Sequence, residues 1–391
     1  MADAPTPLLP DYGGACITKV VPALLSRHGP GPRPVWLPEA VDGAEQVVLL
    51  VVDGLGWEQL HERAALAPTL VAMAGGPITT VCPTTTATAL TSLTTGRPPA
   101  DHGVVGYRMH VVGDGVGDGV GEAVADDSRS GATVLNVLRW TTPAGDAREQ
   151  VRPEELQSVE PFLGAKPPVV TRSEFAESGF TRAHLAGSEL YGWRYPSTLV
   201  AHVARLAAGG RPFVYVYYPG LDTVAHEFGF GAMYDGELAA VDRLVGDLLG
   251  ALPRRTALVV VADHGQVQVG ERLIPIDAEV MACARLLSGE GRFRWLHAGP
   301  GRDTASRLME LARERHGDTA WVVGRDEVIA RGWLGGLPSP AVAARLGDVA
   351  LVAHAPVAFL DPADSGSYAL QCRHGSLTPA EVLVPLLGAR A

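Results

Sequence analysis

The sequence predicts an α/β protein with a central, mostly parallel β-sheet flanked by helices. Three observations carry that prediction. Gln46–Val52, Phe213–Tyr218 and Ala257–Ala262 are unbroken apolar runs rich in β-branched or aromatic residues, the pattern of strands buried on both faces. Each run stops at or just before an acidic turn: Asp53-Gly54, Pro219-Gly220-Leu221-Asp222 and Asp263-His264-Gly265. Stretches with helical spacing follow the first two, which is the strand, turn and helix unit from which parallel sheets are built.

Taken in order, residues 1–45 are rich in Pro and Gly around one apolar run, Val20 to Leu25, read as a short helix. The strand Gln46–Val52 leads through Asp53-Gly54-Leu55-Gly56 into a helix expected over Trp57 to Ala72. Next comes Val81-Cys82-Pro83-Thr84-Thr85-Thr86-Ala87-Thr88, a proline-bounded loop running into a helix that Gly96-Arg97-Pro98-Pro99 ends. Residues 111–122 hold a nominal Gly-x-Gly-x-x-Gly pattern with no long strand before it and no helix after it, so it reads as a loop. A phosphate-binding Gly-x-x-x-x-Gly-Lys-Ser/Thr loop is absent. Ala132 to Leu138 fits either a helix or a strand, while Ser197 to Ala208 and Met233 to Leu252 read as helices. From 271 to 350 the character changes. Strand-like Arg292–His297 and Ala320–Val323 alternate with a helix at Thr304–Arg315, and Asp348–Ala353 is a last strand. That stretch reads as a small α+β insert, a lid over a core formed by residues 1–270 and 351–391, with Cys372 to Leu387 returning to the main sheet.

Composition narrows the function classes. The chain has 391 residues, of which 47% are hydrophobic, enough for a large core. A net charge of −11 argues against polymeric nucleic acid or anionic membrane as a partner. No run of about 18 apolar residues suggests a membrane span. Cys16, Cys82, Cys283 and Cys372 are scattered without a Cys-x-x-Cys pair, which argues against a disulfide framework or a cysteine zinc site. The first residues lack a basic stretch followed by an apolar one, so a cytoplasmic protein is expected, with a monomer slightly favoured.

The chemistry is expected where the strands end. Loops at the carboxyl ends of parallel strands converge on one crevice, so Asp53, Asp222 with His226, and Asp263 with His264 should meet. Asp222 and His226 are four apart and share a face if helical; His374 adds a third imidazole. An aspartate before glycine is also an ordinary turn residue, and a threonine at a helix start an ordinary cap. All six at strand ends and loops by accident is the weaker explanation. Carboxylates and imidazoles bind Zn²⁺ or Mn²⁺, and three of each suit two ions better than one.

In order along the chain stand Val51-Val52-Asp53-Gly54, Pro83-Thr84-Thr85-Thr86, Thr95-Gly96-Arg97-Pro98-Pro99-Ala100-Asp101-His102-Gly103, Asp222-Thr223-Val224-Ala225-His226, Ala262-Asp263-His264-Gly265 and His374-Gly375. This set resembles the nucleotide pyrophosphatase/phosphodiesterase branch of the alkaline phosphatase superfamily, over about residues 45–110, 213–266 and 370–388. The resemblance implies an alkaline-phosphatase-like core and two divalent metal ions, Zn or Mn. Asp222, His226 and His374 would hold one, and Asp53, Asp263, His264 and the Thr86 hydroxyl the other. Thr86 stands ten residues before Gly96, the position of the family's nucleophile, and would form a covalent nucleotidyl intermediate. Alanine variants of Thr84, Thr85 and Thr88 are then expected to remain active. Relatives carry an asparagine after the His-Gly turn to bind a phosphate oxygen; that register holds Gly106-Tyr107-Arg108, so Tyr107 or Arg108 is the expected substitute. The Cys-x-Pro-x-Arg motif of sulfatases is absent at Cys82.

The chain's size, its Tyr12-Gly13-Gly14 start, Pro83 to Thr88 and the insert resemble cytoplasmic bacterial members that convert cyclic di-AMP to pApA and AMP. A cyclic or linear dinucleotide is therefore the expected substrate. Phe293, Trp295 and Trp321 could stack on adenine, though core packing is the stronger expectation. A phosphomonoesterase or phosphonate hydrolase with the same metal site, and a catalytically silent nucleotide-binding sensor, are the alternatives.

Overall fold

The computed structural model describes residues 5–29, 31–112, 132–364 and 369–391. Residues 113–122 of the glycine-rich pattern lie outside these, and Val111 and Val112 end a strand, Arg108–Val112. Seven strands form the central sheet: β1 (Gln46–Val52), β2 (Ala74–Thr79), β3 (Pro168–Arg172), β4 (Glu189–Trp193), β5 (Phe213–Tyr218), β6 (Thr256–Val261) and β7 (Leu383–Arg390). They lie in the order β2-β7-β6-β1-β5-β3-β4. Every adjoining pair is parallel except the two that involve β7. This is the mixed, mostly parallel sheet that the three apolar runs predict, with those runs side by side at its centre.

Register explains where the site lies. Val51 is level with Tyr217 of β5 and Val261 of β6. Two residues on, Asp53, Pro219 and Asp263 therefore emerge together at the carboxyl edge, where an open α/β sheet binds its ligands. The three helices that matter there or behind it are α1 (Thr86–Thr95), α2 (Gly220–Phe228) and α3 (Ala232–Ala251).

The expected helix over Trp57 to Ala72 is broken. It consists of Trp57–Glu62, a tight turn at Ala64–Leu66 and a second short helix, Pro68–Ala72. Pro68 has no N–H to continue a helix and disfavours helical geometry at Ala67, which sits at φ −131° and ψ 54°. Ala132–Asn136 is a strand, paired with Arg108–Val112.

The insert is a four-stranded antiparallel sheet in the order Ala284–Glu290, Phe293–Ala298, Val349–Ala353, Ala320–Gly324. Helix Thr304–His316 covers one face, packing Leu308 and Leu311 in a cluster with Leu296 and Leu351. The strand beginning at Val349 stays in this sheet to Ala353, so the expected division at residue 350 falls within it. Phe293 and Trp295 are buried in the core, and the Trp321 indole donates to the Pro5 carbonyl at 2.6 Å. None of the three lines the cavities described below.

A buried ion pair joins this four-stranded sheet to the C-terminal segment. Arg292 and Glu381 are both fully buried, and two guanidinium nitrogens of Arg292 meet the two Glu381 oxygens at 2.8 Å each. Glu381 also accepts from the Ser376 N–H and the Thr378 hydroxyl, so the same carboxylate fixes the loop after His374. Among the described residues no helix is long and apolar enough to cross a membrane. All four cysteines are free.

Candidate active site

Helix α1 begins at Thr86 because Thr85 adopts the extended geometry of a cap residue, φ −136° and ψ 144°. All ten residues of the helix are buried, and Gly96 at φ 67° ends it in left-handed conformation. The Thr85 side chain makes no capping bond, so no side chain of the cap residue covers the first-turn N–H groups. At that end, Thr86 Oγ1 lies 3.1 Å from His264 Nε2.

The histidines have assigned roles for their ring nitrogens. His226 Nδ1 lies 2.7 Å from the Cys372 carbonyl, His374 Nδ1 2.9 Å from the Thr84 carbonyl and His264 Nδ1 3.1 Å from the Gly265 carbonyl. A carbonyl only accepts, so each neutral ring carries its hydrogen on Nδ1 and leaves a lone pair on Nε2. Those lone pairs converge. His226 and His374 Nε2 are 3.3 Å apart, and His226 Nε2 is 3.3 Å from Asp222 Oδ2. Helix α2 brings Asp222 and His226 to one face, as their spacing predicts. His264 stacks on His374, ring centres 3.7 Å apart, and its Nε2 lies 3.5 Å from Asp53 Oδ1 and 3.4 Å from Asp263 Oδ2.

Those two carboxylate oxygens are buried and have no hydrogen-bond partner. Their opposite oxygens are held: Asp53 Oδ2 accepts from the Tyr217 hydroxyl, and Asp263 Oδ1 from the N–H groups of Gly54 and His264. Burial, then the charges of Asp263 and Asp222, push the Asp53 carboxyl well above its usual range. Burial, then His264 and His226, push His374 well below its own. Packing lone pairs and carboxylates together is unfavourable unless positive charge lies among them. The donor set therefore fits divalent cations, in two overlapping groups: Asp222 with His226 and His374, and Asp53 with Asp222 and His264. Asp222 belongs to both, whereas the sequence suggests it for one only. Asp263 adjoins the second group through His264.

A cavity of about 560 Å³ opens at this cluster, lined by Thr85, Thr86, Asp222, His226 and His374 among others. Tyr107, Arg108 and Asn136 also line it. The Asn136 Oδ1 accepts from the Arg139 N–H at 3.0 Å, which orients the amide so that Nδ2 donates to the Tyr107 hydroxyl at 2.7 Å. The Tyr107 proton is thereby left to donate elsewhere. Arg108 is held in ion pairs, 2.5 Å from Asp361 and 2.7 Å from Asp364. A second cavity of about 210 Å³ adjoins Asp53, Thr86 and Asp222 and is lined mainly by apolar and aromatic residues, including Leu90, Phe175 and Phe180.

Sequence reasoning missed Asn136, Tyr217 and Gln266, whose Nε2 donates to Asp222 Oδ1 at 2.8 Å. Tyr217 and Gln266 adjoin strand-end motifs, which was the only available signal. Asn136 comes from a strand far along the chain and carried none.

A family model described as type I phosphodiesterase/nucleotide pyrophosphatase matches residues 47–377. Among solved structures, murine ectonucleotide pyrophosphatase/phosphodiesterase 5 is 16% identical with a TM-score of 0.61, covering 87% of each chain. An inactive threonine-to-alanine variant of that protein, in complex with AMP, is 15% identical with a TM-score of 0.59, covering 88% of this chain and 87% of that one. Phosphonoacetate hydrolase from Sinorhizobium meliloti 1021, in complex with phosphonoformate, is 18% identical with a TM-score of 0.59, covering 89% and 91%. No curated protein sequence matches the chain.

Proposed function

The chain belongs to the type I phosphodiesterase/nucleotide pyrophosphatase family of hydrolases, and from that premise we propose that it cleaves a dinucleotide phosphodiester with Thr86 as nucleophile. The proposed substrate is cyclic di-AMP, opened to pApA and then cut to AMP in the cytoplasm. One observation carries the reading: a hydroxyl at the first position of α1, 3.1 Å from His264, stands among six Asp and His side chains at the foot of a large cavity.

Asp222, His226 and His374 would hold one cation, and Asp53, Asp263 and His264, with the Thr86 hydroxyl, the other. Bound there, such ions would lower the pKa of the hydroxyl and offset charge on the phosphoryl group. The chain's own residues do the rest. Helix α1 holds Thr86 Oγ1 in fixed position, and its first-turn N–H groups and dipole favour an anion beside it. Tyr107, oriented by Asn136, donates to a phosphoryl oxygen where relatives use asparagine. Attack by Oγ1 forms the threonine ester as the bond to the leaving nucleoside oxygen breaks, and water then releases the nucleotide.

The dinucleotide assignment is supported by motif resemblance and by a cavity of about 560 Å³, within the size range of sites for such ligands. The AMP complex of the murine protein is consistent with an adenine nucleotide. The likeness to phosphonoacetate hydrolase favours a second reading, a phosphonate hydrolase on the same residues. A hydrolysis screen with added Mn²⁺ or Zn²⁺ separates them. Cyclic di-AMP and pApA should turn over faster than phosphonoacetate or p-nitrophenyl phosphate, and the reverse order would overturn the proposal. Tight binding of cyclic di-AMP without turnover would make the chain a sensor.

A further inference from the structure

One arginine on the wall of the larger cavity has no ion pair of its own among the described residues. On that wall, Arg108 meets Asp361 and Asp364, and Arg294 behind it meets the same two carboxylates. Two guanidinium groups thus share two acids. Arg373 also lines this cavity, and among the described residues its side chain has no hydrogen bond or ion pair; its Nε is buried without a partner. Of the other acids on the wall, Asp222 belongs to the proposed metal-ligand cluster, and burial pushes the Glu290 carboxyl up to about 8, which keeps it mostly uncharged at neutral pH.

A half-buried guanidinium without an ion-pair partner is partly desolvated, and the cavity is where a counter-ion can enter. The position is informative. Arg373 directly precedes His374, so an anion it binds lies beside the metal-ligand cluster. A planar guanidinium whose terminal nitrogens make no hydrogen bond to the described residues suits the paired oxygens of a phosphate.

We propose that Arg373 receives a second phosphate of the substrate, so that the enzyme selects dinucleotides carrying a phosphate besides the one attacked. This rests on the phosphodiesterase reading of the neighbouring cluster. It gives the cavity a substrate class, doubly charged diesters, rather than phosphodiesters in general.

The test uses the full chain and two linear diadenylates that differ only in a terminal 5′-phosphate, pApA and ApA. The wild-type protein should favour pApA by at least about tenfold in kcat/KM, expressed mainly in KM, as a charge-assisted contact would give. Arg373→Gln should reduce that preference to about threefold or less, and Arg373→Lys should restore part of it. Equilibrium binding of the two probes should show the same ratios. A wild-type ratio near one, no detectable binding of pApA, or an equal loss on both probes in Arg373→Gln would overturn the proposal. Binding that favours pApA through Arg373, without cleavage of either probe, would instead count against the diesterase reading and leave this inference standing.

Discussion

The Nε2 atoms of His226 and His374 face each other at 3.3 Å, and both rings have turned their Nδ1 hydrogens to backbone carbonyls. Two lone pairs at that distance repel unless a cation lies between them. Removing divalent ions with a chelator should therefore abolish activity, and Mn²⁺ or Zn²⁺ should restore it. Thermal melting should show the chelated protein less stable, since ligand binding to the native state adds stability. Full activity in a sample shown by metal analysis to hold no divalent ion would contradict the site.

Asp263→Asn separates ligand chemistry from folding. Its Oδ1 would still accept from Gly54 and His264, while an amide nitrogen would replace the unpartnered Oδ2. Activity should fall by at least about a hundredfold, beyond the usual effect of outer-shell changes, with the fold retained. Turnover and bound metal at wild-type levels would remove Asp263 from the site.

Thr86→Ala should lower kcat by at least about a thousandfold, roughly 4 kcal/mol of barrier, and leave stability within about 0.5 kcal/mol because Thr85, not Thr86, is the cap residue. Thr86→Ser should keep part of the activity. Thr84 is not the neutral control that its sequence position suggests. Its hydroxyl donates to the Ser376 carbonyl and accepts from the Gly375 N–H, both at 2.9 Å, and its own carbonyl holds His374. Thr88→Val is the sound control, since the Thr88 hydroxyl is buried without a partner. Near-normal turnover by Thr86→Ala would mean that water attacks directly.

Gly54→Ala tests the turn after β1. Gly54 sits at φ +73°, and a Cβ there would lie 2.9 Å from the Asp222 Cβ and 2.4 Å from Gln266 Nε2. Backbone strain alone should cost about 1 kcal/mol or more, and displacement of Asp222 should lower activity as well. Unchanged melting and kinetics would show that the turn can relax.

Glu381→Gln should destabilise by about 3–5 kcal/mol, because it leaves the Arg292 guanidinium buried without its charge partner. Chemical denaturation measures the loss. A change under about 1 kcal/mol would mean that the pair is hydrated in solution.

The sequence was most legible where both faces of a strand are buried. Gln46–Val52 and Phe213–Tyr218 matched the observed strands residue for residue, since no polar position interrupts them. β2 was invisible because Ala74-Gly75-Gly76-Pro77 has little strand preference and lies at the sheet edge, where proline is tolerated. β3 and β4 are only five residues each, and β4 is the opposite edge strand. Site residues at strand ends were readable because parallel register brings them together. Asn136, Gln266 and Arg373 stand out only by what surrounds them, and a sequence does not show what surrounds a residue.

β7 lies between β6 and β2, and His374 precedes it by only nine residues. During synthesis, Thr86 and five of the six Asp and His side chains leave the ribosome before His374 and β7 do. Until the last segment emerges, β2 has no neighbour in the sheet and the Asp222–His226 pair lacks its third partner. On the proposed mechanism a nascent chain without this segment should hydrolyse nothing, because the closing strand and His374 arrive together. Stalled or prematurely ended translation products should consequently be inert as well as poorly folded.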